Sequence, residues 1–249
     1  MFDQRGALRS EAVAENEPFT LNDLVEDTEA LRKILGIEKW SVVTHSFGGL
    51  VTTRYVLAYP DHVEKVIFED PSFDIGASDR SMLLMFADAA RKAGMPDKAD
   101  AIIAAGQLAT DARSSWRAFG KAGGILGLKQ RLDLYAPSLP SGYFFDWMAK
   151  SGLSQDVWLK GSGPSQGTLW GDDHVFENLQ PRLKELKQPA LLIKGRFDAN
   201  TGADQMRSFA REVRHGRTVL FEHCGHMAHA EEPNRFAKVI SNFVMGHKD

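Results

Sequence analysis

The chain has 249 residues, 43% hydrophobic and 25% charged, values of a globular protein able to bury a core without disulfide or metal staples. Its 30 Lys and Arg against 33 Asp and Glu leave a formal net charge of -3. That balance excludes the basic excess of a nucleic-acid binder and any strong pull toward a membrane surface.

The first third alternates helix and strand. Thr20 is placed to cap a helix running to about Leu35, where Leu21, Leu24, Val25, Thr28, Leu31, Ile34 and Leu35 recur at helical spacing. Gly36 ends it. Trp40 to Thr44 is a β-prone run, followed at once by His45-Ser46-Phe47-Gly48-Gly49. A second helix from Leu50 to Tyr59 stops before Pro60, and Val63 to Phe68 forms the next strand, ending at Glu69-Asp70-Pro71. Helices between strands at this spacing predict parallel pairing and a buried sheet.

From Ser72 to Gln180 no strong strand run occurs. Helices are predicted over Arg80 to Lys92, Ala99 to Leu108 and Ala112 to Phe119. An aromatic stretch follows, with Tyr135, Tyr143, Phe144, Phe145, Trp147, Trp158 and Trp170. The segment reads as a helical insertion over the sheet, with these aromatics as its core and the lining of a pocket as the alternative. After Pro189 the alternation resumes. Ala190 to Ile193 is a continuous apolar strand, a helix covers Asp204 to Val213, a strand covers Thr218 to Phe221, and a final helix runs from Pro233 to about Val244. The expected organisation is a core in two parts, residues 1–71 and 181–249, around an insertion at 72–180.

Three strand ends carry chemistry. A strand passing straight into a helix through a serine flanked by small residues forces that serine into a strained turn, lifting its hydroxyl clear of the sheet. Ser46 stands there, with Thr44 where a glycine is usual, and Gly48 and Gly49 following to avoid a collision with neighbouring backbone. The same turn aims the Phe47 N–H at a developing oxyanion. A hydroxyl needs a base, and His226 follows the end of the last strand, with His229 as its rival. The base needs a carboxylate, and Asp198, just past the Ala190 to Ile193 strand, fits, with Asp70 as its rival. His45 is expected to pack or hydrogen-bond beneath the turn. The spacing of His223, His226 and His229 is a weak metal signal, so no metal and no cofactor are expected.

These residues resemble the α/β-hydrolase superfamily, and within it the proline iminopeptidases. The resemblance rests on Asp3-Gln4-Arg5-Gly6, Leu35-Gly36-Ile37-Glu38-Lys39-Trp40, the serine turn, Gly195-Arg196-Phe197-Asp198, and Gly225-His226 with Glu231-Glu232-Pro233. The Asp-Gln-Arg-Gly box continues with Leu8 where a second glycine is usual. The resemblance implies an α/β-hydrolase fold, a mostly parallel sheet flanked by helices with a helical cap. It also implies release of an N-terminal residue, often proline, from peptides, with cap carboxylates holding the free amine. Asp146, Asp156, Asp172, Asp173 and Glu177 are available there, and none aligns with the family's own residues. The family's His-Gly-Gly-Pro-Gly loop, which supplies a second oxyanion donor, is absent from this sequence. The chain begins at what resembles the end of the family's fourth strand. N-terminal strands are therefore expected to be missing, opening a gap in the sheet beside the Ser46 strand; a start codon placed too late, a fragment or a chain completed by another would each explain it.

The resulting expectation is a serine hydrolase using Ser46, His226 and Asp198, acting on a short peptide or other small molecule without nucleic acid or membrane. A carboxylesterase and an inactive, truncated, hydrolase-like binding protein are the alternatives. A serine rather than an aspartate in the turn argues against epoxide hydrolase and haloalkane dehalogenase chemistry. Cys224, the only cysteine, excludes an internal disulfide, no apolar run reaches the roughly 18 residues of a spanning helix, and Met1 to Arg5 lacks signal-peptide order. A cytoplasmic location is expected.

Overall fold

A computed structural model describes residues 3–14, 17–160 and 164–247. Four parallel strands, β1 (Trp40–His45), β2 (Val63–Glu69), β3 (Ala190–Gly195) and β4 (Gly216–Phe221), lie side by side in chain order. Val42 stands opposite Val66, Ile67 opposite Leu191, and Leu192 opposite Thr218. Twelve described helices surround and follow them: α1 (Leu21–Ile34), α2 (Gly48–Ala58), α3 (Ile75–Lys92), α4 (Pro96–Gln107), α5 (Ala112–Leu126) and α6 (Leu128–Tyr135) come first. Then come α7 (Tyr143–Lys150), α8 (Gln155–Lys160), α9 (Pro164–Leu169), α10 (Ala203–Glu212), α11 (Ala228–Glu231) and α12 (Pro233–Met245). None is long and apolar enough to cross a membrane.

The strands form because their side chains alternate between two covered faces. Val66, Phe68, Ala190 and Leu192 pack with Tyr55, Phe73 and Phe209 on one face. Ile67, Leu191 and Ile193 pack with Phe221, Cys224 and Val239 on the other. Each buried Val, Leu, Ile or Phe among them contributes about 1.5–3 kcal/mol. Helices α3, α4 and α5 make their own cluster from Met82, Phe86, Ile102, Ala118 and Leu126.

Several expectations are corrected. The capping box of α1 is present, with Asp23 N–H donating to Thr20 Oγ1 and Thr20 N–H to Asp23 Oδ2. Its buried stripe, however, drifts from Leu21 and Val25 to Glu29 and Arg32, leaving Ile34 and Leu35 exposed. Glu29 and Arg32 pair at 2.7 Å, and Tyr55 donates to the same carboxylate, so the charges are compensated where they are buried. No gap opens inside the sheet: β1 is an edge strand, Val43 is half exposed, and residues 3–14 form turns rather than a strand. Met1 and Phe2 lie outside the described residues. The Asp3-Gln4-Arg5-Gly6 box packs on α1 through Arg5 and Asp27, while Arg9 binds Asp3 at 2.6 Å. Leu8, at the position where glycine is usual, has a φ of 47°, the region that favours glycine.

The aromatic stretch is core only in part: Tyr135 and Trp170 pack against buried clusters, and α7 does not. No residue of α7 is buried, Phe145 and Trp147 are exposed, and Trp147 packs on Trp158. The others that matter, Tyr135 and Trp170, line a cavity described next.

Candidate active site

Ser46 sits between β1 and α2 with a φ of 56°, a left-handed conformation that costs a non-glycine residue about 1–2 kcal/mol. Neighbours hold it there. Ser46 N–H donates to Glu69 O at 3.1 Å, and its own carbonyl accepts from Gly49 N–H and Ser72 N–H, both at 2.9 Å. A Cβ at residue 49 would lie 2.6 Å from Pro71 Cβ and 2.8 Å from Ser72 O, so glycine is needed for the close approach of α2 to the segment after β2. At residue 48 the obstacle to a Cβ is the Thr44 hydroxyl, and not backbone. The threonine that replaces the usual glycine thus fills the space that Gly48 leaves.

The structure brings together Ser46, Asp198 and His226, which are far apart in the chain. Ser46 Oγ lies 2.8 Å from His226 Nε2, and His226 Nδ1–H donates to Asp198 Oδ1 at 2.9 Å. Asp198 follows β3 and is 9% exposed; His226 follows β4 and is 5% exposed. Asp198 also accepts from Asn200 N–H at 2.8 Å, Thr201 N–H at 2.9 Å and Lys194 Nζ at 3.0 Å. Burial alone would raise its pKa; the facing imidazole of His226, Lys194 and the Thr201 N–H outweigh that and hold it far below the usual carboxylate range. An ionised carboxylate fixes Nδ1 as the protonated nitrogen, leaving Nε2 to accept from the serine hydroxyl.

The rivals have other partners. Asp70 accepts from Gly195 N–H at 3.0 Å and faces Lys194 at 3.6 Å. Burial and the neighbouring Asp198 charge push its pKa well up. His229 donates to Glu69 at 2.9 Å, and that hydrogen bond raises its pKa. His45 Nε2–H donates to the His226 carbonyl at 2.7 Å; burial and the nearby His226 lower its pKa to about 4, so it stays neutral. Ligand-type atoms of Asp70, Asp198 and His226 lie within 4.8 Å of one another, and the Lys194 ammonium supplies positive charge between the two acids. His223, His226 and His229 do not converge on one point: His223 is exposed, and the other two face Asp198 and Glu69.

Ser46 and His226 open on a cavity of about 180 Å³. Phe47, Trp116, Phe119, Tyr135 and Trp170 give it an aromatic wall, and Asp79 and Asn200 are polar members. Phe47 is the N-cap of α2, so its N–H stands at the helix N-terminus, where the dipole favours negative charge. Sequence reasoning missed Lys194, Asn200, Thr201 and Asp79. The acidic residues considered in the insertion are engaged elsewhere or exposed: Asp172 accepts from Leu21 N–H, Asp173 pairs with Arg113, Glu177 pairs with Arg54, and Asp146 and Asp156 face solvent.

A family model described as the alpha/beta hydrolase fold matches residues 1–233. A proline iminopeptidase of Heyndrickxia coagulans is 25% identical over 250 residues, covering 98% of this chain and 80% of the relative. One from Saccharolobus solfataricus is 23% identical over 244 residues, covering 98% and 74%. A proline iminopeptidase-related protein from Thermus thermophilus superposes with a TM-score of 0.66 at 20% identity, covering 96% of this chain and 76% of that one. The match over most of its length, on a parallel sheet flanked by helices, makes this chain a member of the α/β-hydrolase fold family.

Proposed function

We propose that the chain is a serine hydrolase that transfers an acyl group to water, with Ser46 as nucleophile, His226 as base and then acid, and Asp198 as orienting carboxylate. The observation that carries this reading is the unbroken relay of 2.8 Å and 2.9 Å contacts from hydroxyl to imidazole to carboxylate. Ser46 Oγ attacks the carbonyl carbon while Nε2 takes its proton, and the Phe47 N–H receives the oxyanion. Collapse of the tetrahedral intermediate expels the leaving group, which takes the proton from His226. Water, deprotonated by the same nitrogen, then releases the acid and restores Ser46.

The names of the relatives favour removal of an N-terminal residue, of the proline type, from a short peptide. A short-acyl carboxylesterase is the second reading, favoured by a cavity wall that is mostly aromatic and apolar. Both substrates are small, and the relay needs no cofactor. A fluorophosphonate probe should label the protein, and Ser46→Ala should abolish labelling; labelling that survives the substitution sinks the assignment. Hydrolysis of proline p-nitroanilide against p-nitrophenyl butyrate separates the two substrate readings. Absence of both labelling and turnover returns the chain to a silent, hydrolase-like binding protein.

A further inference from the structure

The cavity beside Ser46 holds a carboxyl that the proposed mechanism does not use. Asp79, on the second turn of α3, is 6% exposed and forms part of the cavity wall among Ile75, Met82, Trp116 and Trp170. Its Oδ2 is buried and has no hydrogen-bond partner in the protein. Buried polar atoms are almost always paired, so an orphaned one on a cavity wall marks where a ligand atom belongs. We propose that Asp79 is a specificity-determining residue of this site, donating a hydrogen bond as a neutral acid to an acceptor oxygen on the acyl portion of the substrate. The inference rests on the acyl-transfer reading above in its carboxylesterase form, because an N-terminal proline would turn a donor, not an acceptor, toward this wall.

The surroundings favour the neutral acid over the carboxylate. Burial lifts the Asp79 pKa to about 8; Arg80 on the same helix opposes the shift, and Asp74 adds to it. From α6 the Tyr135 phenol faces the same space, and burial pushes its own pKa to about 12, so it is uncharged too. From α5 come only the Trp116 and Phe119 rings, and from the loop after β4 comes His226, already bonded at both nitrogens. Arg80 turns toward Ser115 of α5 at 3.4 Å and is not in the cavity wall. A carboxyl so placed carries its proton at neutral pH and has an acceptor as its complement.

The test uses the full chain and two pairs of p-nitrophenyl esters matched in shape: methoxyacetate against butyrate, and levulinate against 4-methylpentanoate. The ratio of kcat/KM within a pair, compared between proteins, cancels intrinsic ester reactivity. In Asp79→Leu the ratio should fall about 5- to 10-fold for at least one pair, the worth of one neutral hydrogen bond. Asp79→Asn, which keeps a donor at the same place, should hold the ratio within about twofold. An equal fall in both variants would mean that a hydrogen-bond donor at this place is not what selects the substrate, and no change in either would mean no contact; each overturns the proposal. The wild type supplies an independent arm, because the ratio should decline as pH rises past about 8 and the proton leaves. A ratio that stays flat through that range also overturns it. Fluorophosphonate labelling of each variant at Ser46 tells failure of this inference apart from failure of the acyl-transfer reading.

Discussion

Replacing Ser46 with glycine should leave a more stable protein than replacing it with alanine, the reverse of the order expected at most sites. On ordinary backbone, glycine is the worse residue by about 0.5–1 kcal/mol, because it loses more freedom on folding. At a φ of 56° the β-carbon itself crowds the neighbouring carbonyl, at a cost of about 1–2 kcal/mol. The turn cannot relax to avoid this, because Glu69, Ser72 and Gly49 hold the Ser46 backbone on both sides. Both variants lose the hydroxyl's contact with His226, so that loss cancels between them. The remainder favours glycine by about 1 kcal/mol, in line with the penalty for alanine at positive φ. In a domain of this size that is a difference of about 2–4 °C in Tm, readable by calorimetry on the two purified proteins. An alanine variant melting at or above the glycine variant would refute the claim that the serine turn is strained.

Two further outcomes follow from the buried charges. Asp198→Asn should lower kcat by about 10⁴ with little change in KM, because an amide must turn its NH2 toward one of the four donors that now meet the carboxylate. A fall below about 100-fold in steady-state kinetics would point instead to Asp70 as the orienting group. Glu29 has its pKa lowered to about 2 from 4.5, first by the Arg32 hydrogen bond, against the opposing effect of burial. Its contribution to stability is therefore complete above the unfolded value and is lost as pH falls through the folded one. Denaturant titrations between about pH 4.5 and 2 should show a shallower loss of stability in Glu29→Gln than in the wild type; equal slopes would exclude the ion pair as the source.

The strands were legible because a parallel sheet covered on both faces demands continuous apolar runs, and Val63 to Phe68 and Ala190 to Ile193 are such runs. Ser46, Asp198 and His226 could be picked out because they lie one, three and five residues past the ends of β1, β3 and β4. The start of helix α3 was not. It is expected from Arg80, yet Asp74 caps it and it begins at Ile75. A Cβ at residue 76 would lie 2.9 Å from the Ala112 Cα, which makes that glycine a close-packing site between α3 and α5. Only the tertiary contact reveals that role, and the missing turn is the one that carries Asp79 into the cavity. The exposure of α7 was hidden for a similar reason: a dense aromatic run reads as a core unless its neighbours are known.

The His226 loop is held by the helical segment as much as by its own strand. His226 N–H donates to the Tyr135 carbonyl at 2.6 Å, and a Cβ at residue 225 would collide with that oxygen and lie 2.5 Å from Pro137 Cδ. Glu231 closes the attachment, accepting from Gly225 N–H at 2.7 Å through one oxygen and from Ser138 Oγ at 2.8 Å through the other. Ser46, by contrast, is fixed from β2 and the segment after it, by Glu69 and Ser72. The Ser46 and His226 side chains thus hang from different parts of the chain, and their 2.8 Å separation depends on how the end of α6 sits against the sheet. A misplacement of about 1 Å at such a contact costs about 100-fold in rate. Tyr135 thus anchors the His226 loop through its carbonyl and forms part of the cavity wall through a ring whose centroid lies 5.4 Å from that of His226, so the wall and the imidazole share one support.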